Sequence, residues 1–415
     1  MPDAMSSPLR LLRRLAIESS RLLLEARYGL KRRLGLLGPL QILAYRTYGN
    51  ERELLVRGRV VEGKPTRPSR ETDGTWKNLR NMWRVISRMP IPGARVEAQF
   101  QGNRREARTD GRGFFELRIE PRAPLDPGLW QFVPLTLLSP EDNDGSRPEA
   151  LAQVLTPPAG ARHVVISDID DTVVPTHVTN ILRMLRSLFL HNARTRLPFP
   201  GVAAFYRALH LDRDGRPANP MLYVSRGPWS LYDLLAEFFN LHGIPIGPVL
   251  HLRDWGLSEE GLTRPSPRGH KFRLIMAMLD LYADLPFILV GDSGQLDPEI
   301  YAELVEEHPG RVQAVYIRLA RPDQVRVAGM RRLAENLRAM GSELVLARDT
   351  MDMAVHAAER GWIEAWRLAD IAGEKVVSEE PPGLLGDALQ PGAWRARYFR
   401  PGQAGDEPPD RGRVE

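Results

Sequence analysis

From Ala161 onward, short and almost wholly apolar runs alternate with amphipathic stretches, and no other feature of the chain constrains its fold so tightly. The runs His163–Ser167, Met221–Ser225, Val249–Leu252, Pro286–Gly291 and Gln313–Ile317 read as strands. Between them Val202–His210, Pro228–His242, His270–Ala283 and Pro298–Glu307 read as helices. The second has Pro228 in its first turn and Gly243 just past its end, the usual asymmetry of helix termini. Continuous apolar strands separated by helices predict an α/β fold, a Rossmann-like parallel sheet covered on both faces. Ligands bind such sheets outside the carboxyl ends of the strands.

Those ends carry most of the reactive groups. The first strand runs into Asp168-Ile169-Asp170-Asp171-Thr172, where side chains alternate with period two, so Asp168 and Asp170 leave toward one crevice. Two carboxylates so close repel unless a proton or cation lies between them. A divalent metal meets that need and leaves one Asp as a nucleophile. The structural alternative is an acidic turn that caps the following segment. A second acidic strand end, Gly291-Asp292-Ser293-Gly294-Gln295-Leu296-Asp297, weakens that alternative. Carboxylates from two neighbouring strand ends form the oxygen-rich site that Mg²⁺ prefers. The second strand ends in Ser225-Arg226-Gly227-Pro228, a hydroxyl and free N–H groups at a helix start that can cradle an anion. Lys271 stands near the start of the third helix, and the chain has only five lysines beside 52 arginines, so its position is informative. Cysteine is absent, which excludes thiolate nucleophiles, disulfides and Cys-ligated zinc.

The order DxDxT at Asp168–Thr172, Ser225, Lys271 and GDxxxxD at Gly291–Asp297 resembles the haloacid dehalogenase superfamily of phosphohydrolases. That resemblance implies Asp168 as the nucleophile forming an aspartyl-phosphate and Asp170 as general acid, then base. It implies Lys271 as a catalytic cation, with Thr172, Ser225, Arg226 and Lys271 around the substrate phosphate. Mg²⁺ would be bound by Asp168, Asp170 (through its carbonyl) and Asp292, with Asp297 in support. A closer resemblance spans 162–318. The phrases SDIDDTVVPTHVTN (Ser167–Asn180), RTRLPFPGVAAFYRAL (Arg194–Leu209), YVSRGPWSLYDLLAEFF (Tyr223–Phe239), RGHK (Arg268–Lys271) and VGDSGQLDPEIYAELV (Val290–Val305) are similar to the catalytic domain of actin-patch-type phosphatidate phosphatases. This implies Mg²⁺-dependent removal of phosphate from phosphatidate, giving diacylglycerol. Arg226 departs from the Asn or Ser more usual there, which bears on headgroup selectivity.

Four regions flank or interrupt this core. Residues 1–49 form a basic segment with 9 basic and 3 acidic residues; its +6 exceeds the whole-chain net charge of +5. Within it Leu9–Leu37 reads as an amphipathic helix, with Leu12, Leu15, Leu22, Ala26, Leu30, Leu34 and Leu37 on one face. Such a helix can lie on an anionic membrane or pack on the protein itself. The remaining residues are close to neutral, so no nucleic-acid surface is expected. Residues 50–150 read as a β-rich, sandwich-like module, with strands at Glu53–Val61, Arg95–Gln101, Phe114–Glu120 and Leu129–Leu138 and a turn at Asp110-Gly111. Glu141–Gly145 reads as an interdomain turn, and Pro157–Gly160 marks the entry to the phosphatase domain at 161–380. Asn180–Arg196 falls where the superfamily inserts its cap; Arg194 and Arg196 are candidates for steering a phosphate, and the leucines for packing. Beyond Val325 a helix (Arg331–Met340), a strand (Glu343–Leu346) and a helix (Met351–Arg360) are expected, then an irregular tail over 381–415.

The expected function is hydrolysis of an anionic phospholipid monoester by a cytoplasmic protein, with residues 9–37 available for contact with the inner membrane surface. A phosphatase of soluble phosphomonoesters and a non-catalytic membrane adaptor are the alternatives. The oligomeric state has no sequence signal.

Overall fold

The computed structural model describes residues 26–31, 33–63, 88–142, 145–169, 200–229, 232–253, 267–319 and 324–379. The N-terminal strands are β1 (Leu40–Tyr45), β2 (Thr47–Tyr48), β3 (Leu54–Glu62), β4 (Met89–Pro90), β5 (Arg95–Phe100), β6 (Asn103–Arg108), β7 (Phe114–Ile119), β8 (Trp130–Ser139) and β9 (Glu149–Leu155). In one sheet β3 pairs with β1 on one edge and with β7 and β4 on the other; the second sheet has the order β2-β9-β8-β5-β6. Alternate residues point inward: Leu54, Val56, Leu117, Val96, Ala98, Val133, Leu135 and Val154 fill the space between the sheets. That is the sandwich expected of short strands with period-two burial.

Two turns differ from expectation. At Asp110 the carboxylate accepts from the N–H groups of Arg112 and Phe114, and Gly113 (φ 79°) is the left-handed residue rather than Gly111. This turn carries the chain from β6 in one sheet to β7 in the other. Residues 141–145 do not separate domains. They connect β8 to β9, which pair antiparallel with Trp130 opposite Leu155 and Thr136 opposite Glu149.

Of the basic N-terminal segment, residues 26–31 and 33 are helical; Leu34–Leu37 leave the helix in a turn with Gly35 at φ 64°, so the helix stops short of the expected Leu37, and residues 9–25 and 32 lie outside the described residues. Its buried anchor is Tyr28, in the sandwich core, while Lys31 pairs with Glu62 at 2.8 Å. Leu30 and Leu34 face solvent, about 60% exposed.

The second half is the expected α/β layer. Its strands are β10 (Val164–Asp168), β11 (Met221–Pro228), β12 (Val249–Arg253), β13 (Phe287–Asp292), β14 (Val312–Arg318) and β15 (Glu343–Ala347). All pair in parallel, in the order β12-β11-β10-β13-β14-β15. The helices are α1 (Val202–His210), α2 (Tyr232–His242), α3 (Pro267–Leu281), α4 (Asp297–Glu307), α5 (Gln324–Ala339), α6 (Thr350–Glu359) and α7 (Arg367–Glu379). Val165, Tyr223, Val290 and Tyr316 pack on one face with residues of α1, α2, α6 and α7. Ile166, Val224, Leu289 and Ile317 pack on the other with α3, α4 and α5. Burial on both faces explains why these strands read as unbroken apolar runs. The order runs outward from β10 in one direction and from β13 in the other, so the winding reverses between them and opens a crevice at their carboxyl ends.

The sandwich meets this layer along an aromatic seam. Tyr45, at the end of β1, lies 4.7 Å from the rings of both Trp229 and Tyr232, and Phe114 lies 6.2 Å from Trp229. The N–H of Arg46 donates to the Tyr232 hydroxyl at 2.8 Å. Arg88 pairs with Asp233 at 3.4 Å. Each ring pair contributes roughly 0.5–1.5 kcal/mol beyond its buried area. The seam holds Trp229, four residues past Ser225, and so braces the loop that leaves β11.

Candidate active site

Period-two alternation decides which way each residue at the end of β10 points. Ser167 faces α1, where its hydroxyl lies 2.7 Å from the Tyr206 hydroxyl, and Asp168 faces the opposite side, toward α3 and α4. The Ser167 contact fixes the strand end from behind. Burial pushes the Tyr206 phenol well above its usual range, so it stays a neutral hydrogen-bonding group.

Asp168 is 1% exposed, and its Oδ2 lies 3.3 Å from the Lys271 Nζ. Lys271, in the first part of α3, is equally buried and donates to Asp297 Oδ1 at 2.5 Å. Its ammonium also lies 5.3 Å from the centre of the Tyr301 ring, one turn beyond Asp297 on α4. Burial drives the Tyr301 phenol far upward, and Asp297, Asp168 and Asp292 push it the same way, so it remains a donor to the Val290 carbonyl. Asp292 ends β13, one residue further along its strand than the position opposite Asp168. Its Oδ1 accepts from the Gly294 N–H at 2.5 Å, and its own N–H donates to Asp297 Oδ2 at 3.3 Å.

One oxygen from each of Asp168, Asp292 and Asp297 lies within 4.8 Å of the others, and all three residues are buried. Among the described residues the three carboxylates gather around the ammonium of Lys271 in a buried crevice. Such a set fits a hard divalent cation: the donors are all oxygen, they are anionic, and their separation matches a shared ion.

Gly291 is required by this geometry. A Cβ there would stand 2.4 Å from Asp297 Oδ2 and 2.8 Å from Asp297 Cβ, so any side chain displaces the carboxylate that pairs with Lys271. Gly291→Ala is expected to destabilise the fold by about 1–3 kcal/mol, the usual cost of overpacking. Equilibrium denaturation measures it, and an unchanged midpoint would show that Asp297 can move aside freely.

Four expected site residues are therefore brought together: Asp168, Lys271, Asp292 and Asp297. Ser225 is buried on the adjacent strand, one residue past Val224, which stands opposite Asp168. A register shift between Ser225 and Pro228 turns β11 at the same end of the sheet. Arg226 belongs to that turn by its backbone. Asp170, Thr172, Arg194, Arg196 and the rest of Asn180–Arg196 lie outside the described residues. Sequence reasoning missed Gln295, whose Nε2 reaches Asp168 Oδ2 at 3.4 Å, and Tyr301. Both had a signal: Gln295 sits inside the GDxxxxD turn, and Tyr301 follows Asp297 at one helical turn.

Residues 163–319 match the protein family described as Phosphatidate phosphatase APP1, catalytic domain. Over 155 residues, 37% of this chain, the sequence is 33% identical to the Phosphatidate phosphatase APP1 of Saccharomyces cerevisiae and 29% identical to an uncharacterized protein of Schizosaccharomyces pombe. The chain spans about a quarter of the length of these relatives, 25% and 24%. Among solved structures, a carbohydrate acetylesterase from Xanthomonas citri aligns at 12% identity and a TM-score of 0.26, over 74% of this chain and 68% of that one. A likeness at that level carries no argument about fold or function.

Proposed function

We propose that the chain is a Mg²⁺-dependent phosphatase of the haloacid dehalogenase type that removes phosphate from phosphatidate, leaving diacylglycerol. The observation that carries the proposal is the meeting of Asp168, Asp292, Asp297 and Lys271 in one buried crevice at the carboxyl ends of a parallel sheet. The match of 163–319 to a phosphatidate phosphatase catalytic domain supplies the substrate class.

In the proposed reaction a carboxylate oxygen of Asp168 attacks phosphorus. The bond from phosphorus to the ester oxygen breaks, and the departing alkoxide takes a proton from Asp170. Asp170 then removes a proton from water, the water oxygen attacks phosphorus, and the bond to Asp168 breaks. The carboxylate is restored and inorganic phosphate is free. Lys271 holds its charge beside the reacting oxygens, and its pairing with Asp297 keeps the ammonium in place before substrate arrives. Ser225, Thr172 and Arg226 supply hydrogen bonds to the phosphoryl group. Mg²⁺ held by Asp168, Asp170 and Asp292, with Asp297 in support, adds neutralisation of the phosphoryl charge when bound.

The same reading places the protein peripherally on the cytoplasmic face of a membrane. Leu30, Leu34 and Leu36 are exposed at 60%, 60% and 62%, on a segment that also carries Arg27, Lys31 and Arg33. Exposed leucines among cations suit an anionic lipid surface. Among the described residues no helix is long and apolar enough to cross a membrane.

Phosphate release from dispersed phosphatidate and from glycerol 3-phosphate, each with Mg²⁺, tests the reading. Phosphatidate is expected to be favoured by at least about tenfold in kcat/KM, since binding of its acyl chains can be used to lower the barrier. Equal cleavage of glycerol 3-phosphate with none of phosphatidate would establish the soluble-ester reading instead. Release from neither would leave an adaptor.

A further inference from the structure

Arg326 lies in the first turn of α5, outside the stretch matched by the family model. Its guanidinium reaches back to the Gly291–Asp297 turn. Nε donates to the Ser293 carbonyl at 2.6 Å, and a terminal nitrogen donates to the Gln295 carbonyl. The other terminal nitrogen pairs with Glu299 at 3.2 Å, in the first turn of α4. One planar fork thus holds both sides of the turn and the helix that follows it.

The two carbonyls it holds flank Gly294. The Gly294 N–H is the donor that orients Asp292, at 2.5 Å to Oδ1. The Ser293 N–H adds a backbone tether to the Arg318 carbonyl at 2.9 Å. With the guanidinium in place, the peptide bearing the Gly294 N–H cannot rotate, and the Asp292 carboxylate keeps its aim toward Asp168 and Asp297. Glu299 in turn fixes the guanidinium. The contact chain runs from Arg326 through the Gly294 peptide to Asp292, with no direct approach to the carboxylate cluster.

We propose that Arg326 is a positioning residue that holds the Gly291–Asp297 turn in its cation-binding form. This rests on the metal site proposed above. Groups that orient metal ligands typically change affinity by about 10- to 100-fold when removed. Arg326 is about one-third exposed, so water can reach the carbonyls left by its removal, and Arg326→Ala is expected to fold.

The test is direct Mg²⁺ binding to the full chain by titration calorimetry, with amide hydrogen exchange at Gly294 as a second readout. Arg326→Ala is expected to weaken Mg²⁺ by at least about tenfold and to speed Gly294 exchange. Arg326→Lys, which cannot bridge two carbonyls and Glu299 together, is expected to fall between parent and Arg326→Ala. Glu299→Gln, which keeps both carbonyl bonds, is expected to weaken binding by no more than about threefold, as loss of a partly exposed ion pair does. If the parent binds Mg²⁺ and Arg326→Ala binds it within twofold with unchanged exchange, the positioning role is wrong and the metal site stands. If the parent binds no Mg²⁺, the metal site itself fails and this role fails with it.

Discussion

Asp168→Asn is expected to abolish phosphate release, by at least about 10³-fold in kcat, while leaving the fold as stable as the parent or more so. The first effect follows from chemistry: an amide cannot form the acyl phosphate that the proposed route needs, and loss of a nucleophile removes the whole catalytic unit. The second follows from charge. Asp168, Asp292 and Asp297 crowd around one ammonium, and neutralising one carboxylate relieves repulsion among the rest. Asparagine keeps the shape and can still accept from Lys271. Initial rates on phosphatidate and a thermal melt without added Mg²⁺ give both readouts. Activity within tenfold of the parent would rule Asp168 out as the nucleophile.

Lys271→Met is expected to lose activity to a similar degree and, unlike Asp168→Asn, to cost about 3–5 kcal/mol of stability. The side chain is 2% exposed and touches two carboxylates that are 1% and 0% exposed. Removing it strands buried charge that this ammonium pairs with, and breaking a buried pair from one side costs about that much. Methionine fills most of the volume, so the loss reports charge more than packing. The two substitutions therefore have opposite signs in the melt. Added Mg²⁺ should recover part of the Lys271→Met loss, because a cation then occupies the same field. A melt identical to the parent would mean that these carboxylates are not charged in the folded protein.

The chemistry of the crevice was legible because it is local in sequence. Asp168, Asp292 and Asp297 announce themselves as carboxylates at the ends of apolar runs, and Lys271 stands out because lysine is rare. Arginine gives the opposite lesson. With 52 arginines, the position of Arg326 says nothing until the fold shows what it grips. The α/β strands were read within a residue or two at most ends, since burial on both faces leaves few polar interruptions. The sandwich was read less well. Strand β6, Asn-Arg-Arg-Glu-Ala-Arg, has a solvated edge and almost no apolar period, so only its pairing with β5 identifies it. Strands β1 and β9 frame the module at either end and were not foreseen, nor was the helix α7. The seam had no local signal at all, because Tyr45 and Trp229 meet across much of the chain.

That seam bears on whether the stretch matched by the family model could stand alone. The stretch matched by the family model, residues 163–319, is covered at one end by Tyr45 and Phe114 of the sandwich. Along one face it is closed by helices that follow it: the N–H of Ala204 donates to Glu374 at 3.1 Å, and Met353, Ala354 and Ile371 share the core of Phe205 and Tyr206. Cut out alone, it would bare the rings of Trp229 and Tyr232 and half of the packing around α1. The crevice is thus clad by a β-sandwich ahead of the matched stretch and a helical pair behind it, and its floor of four charged residues is only as rigid as that cladding.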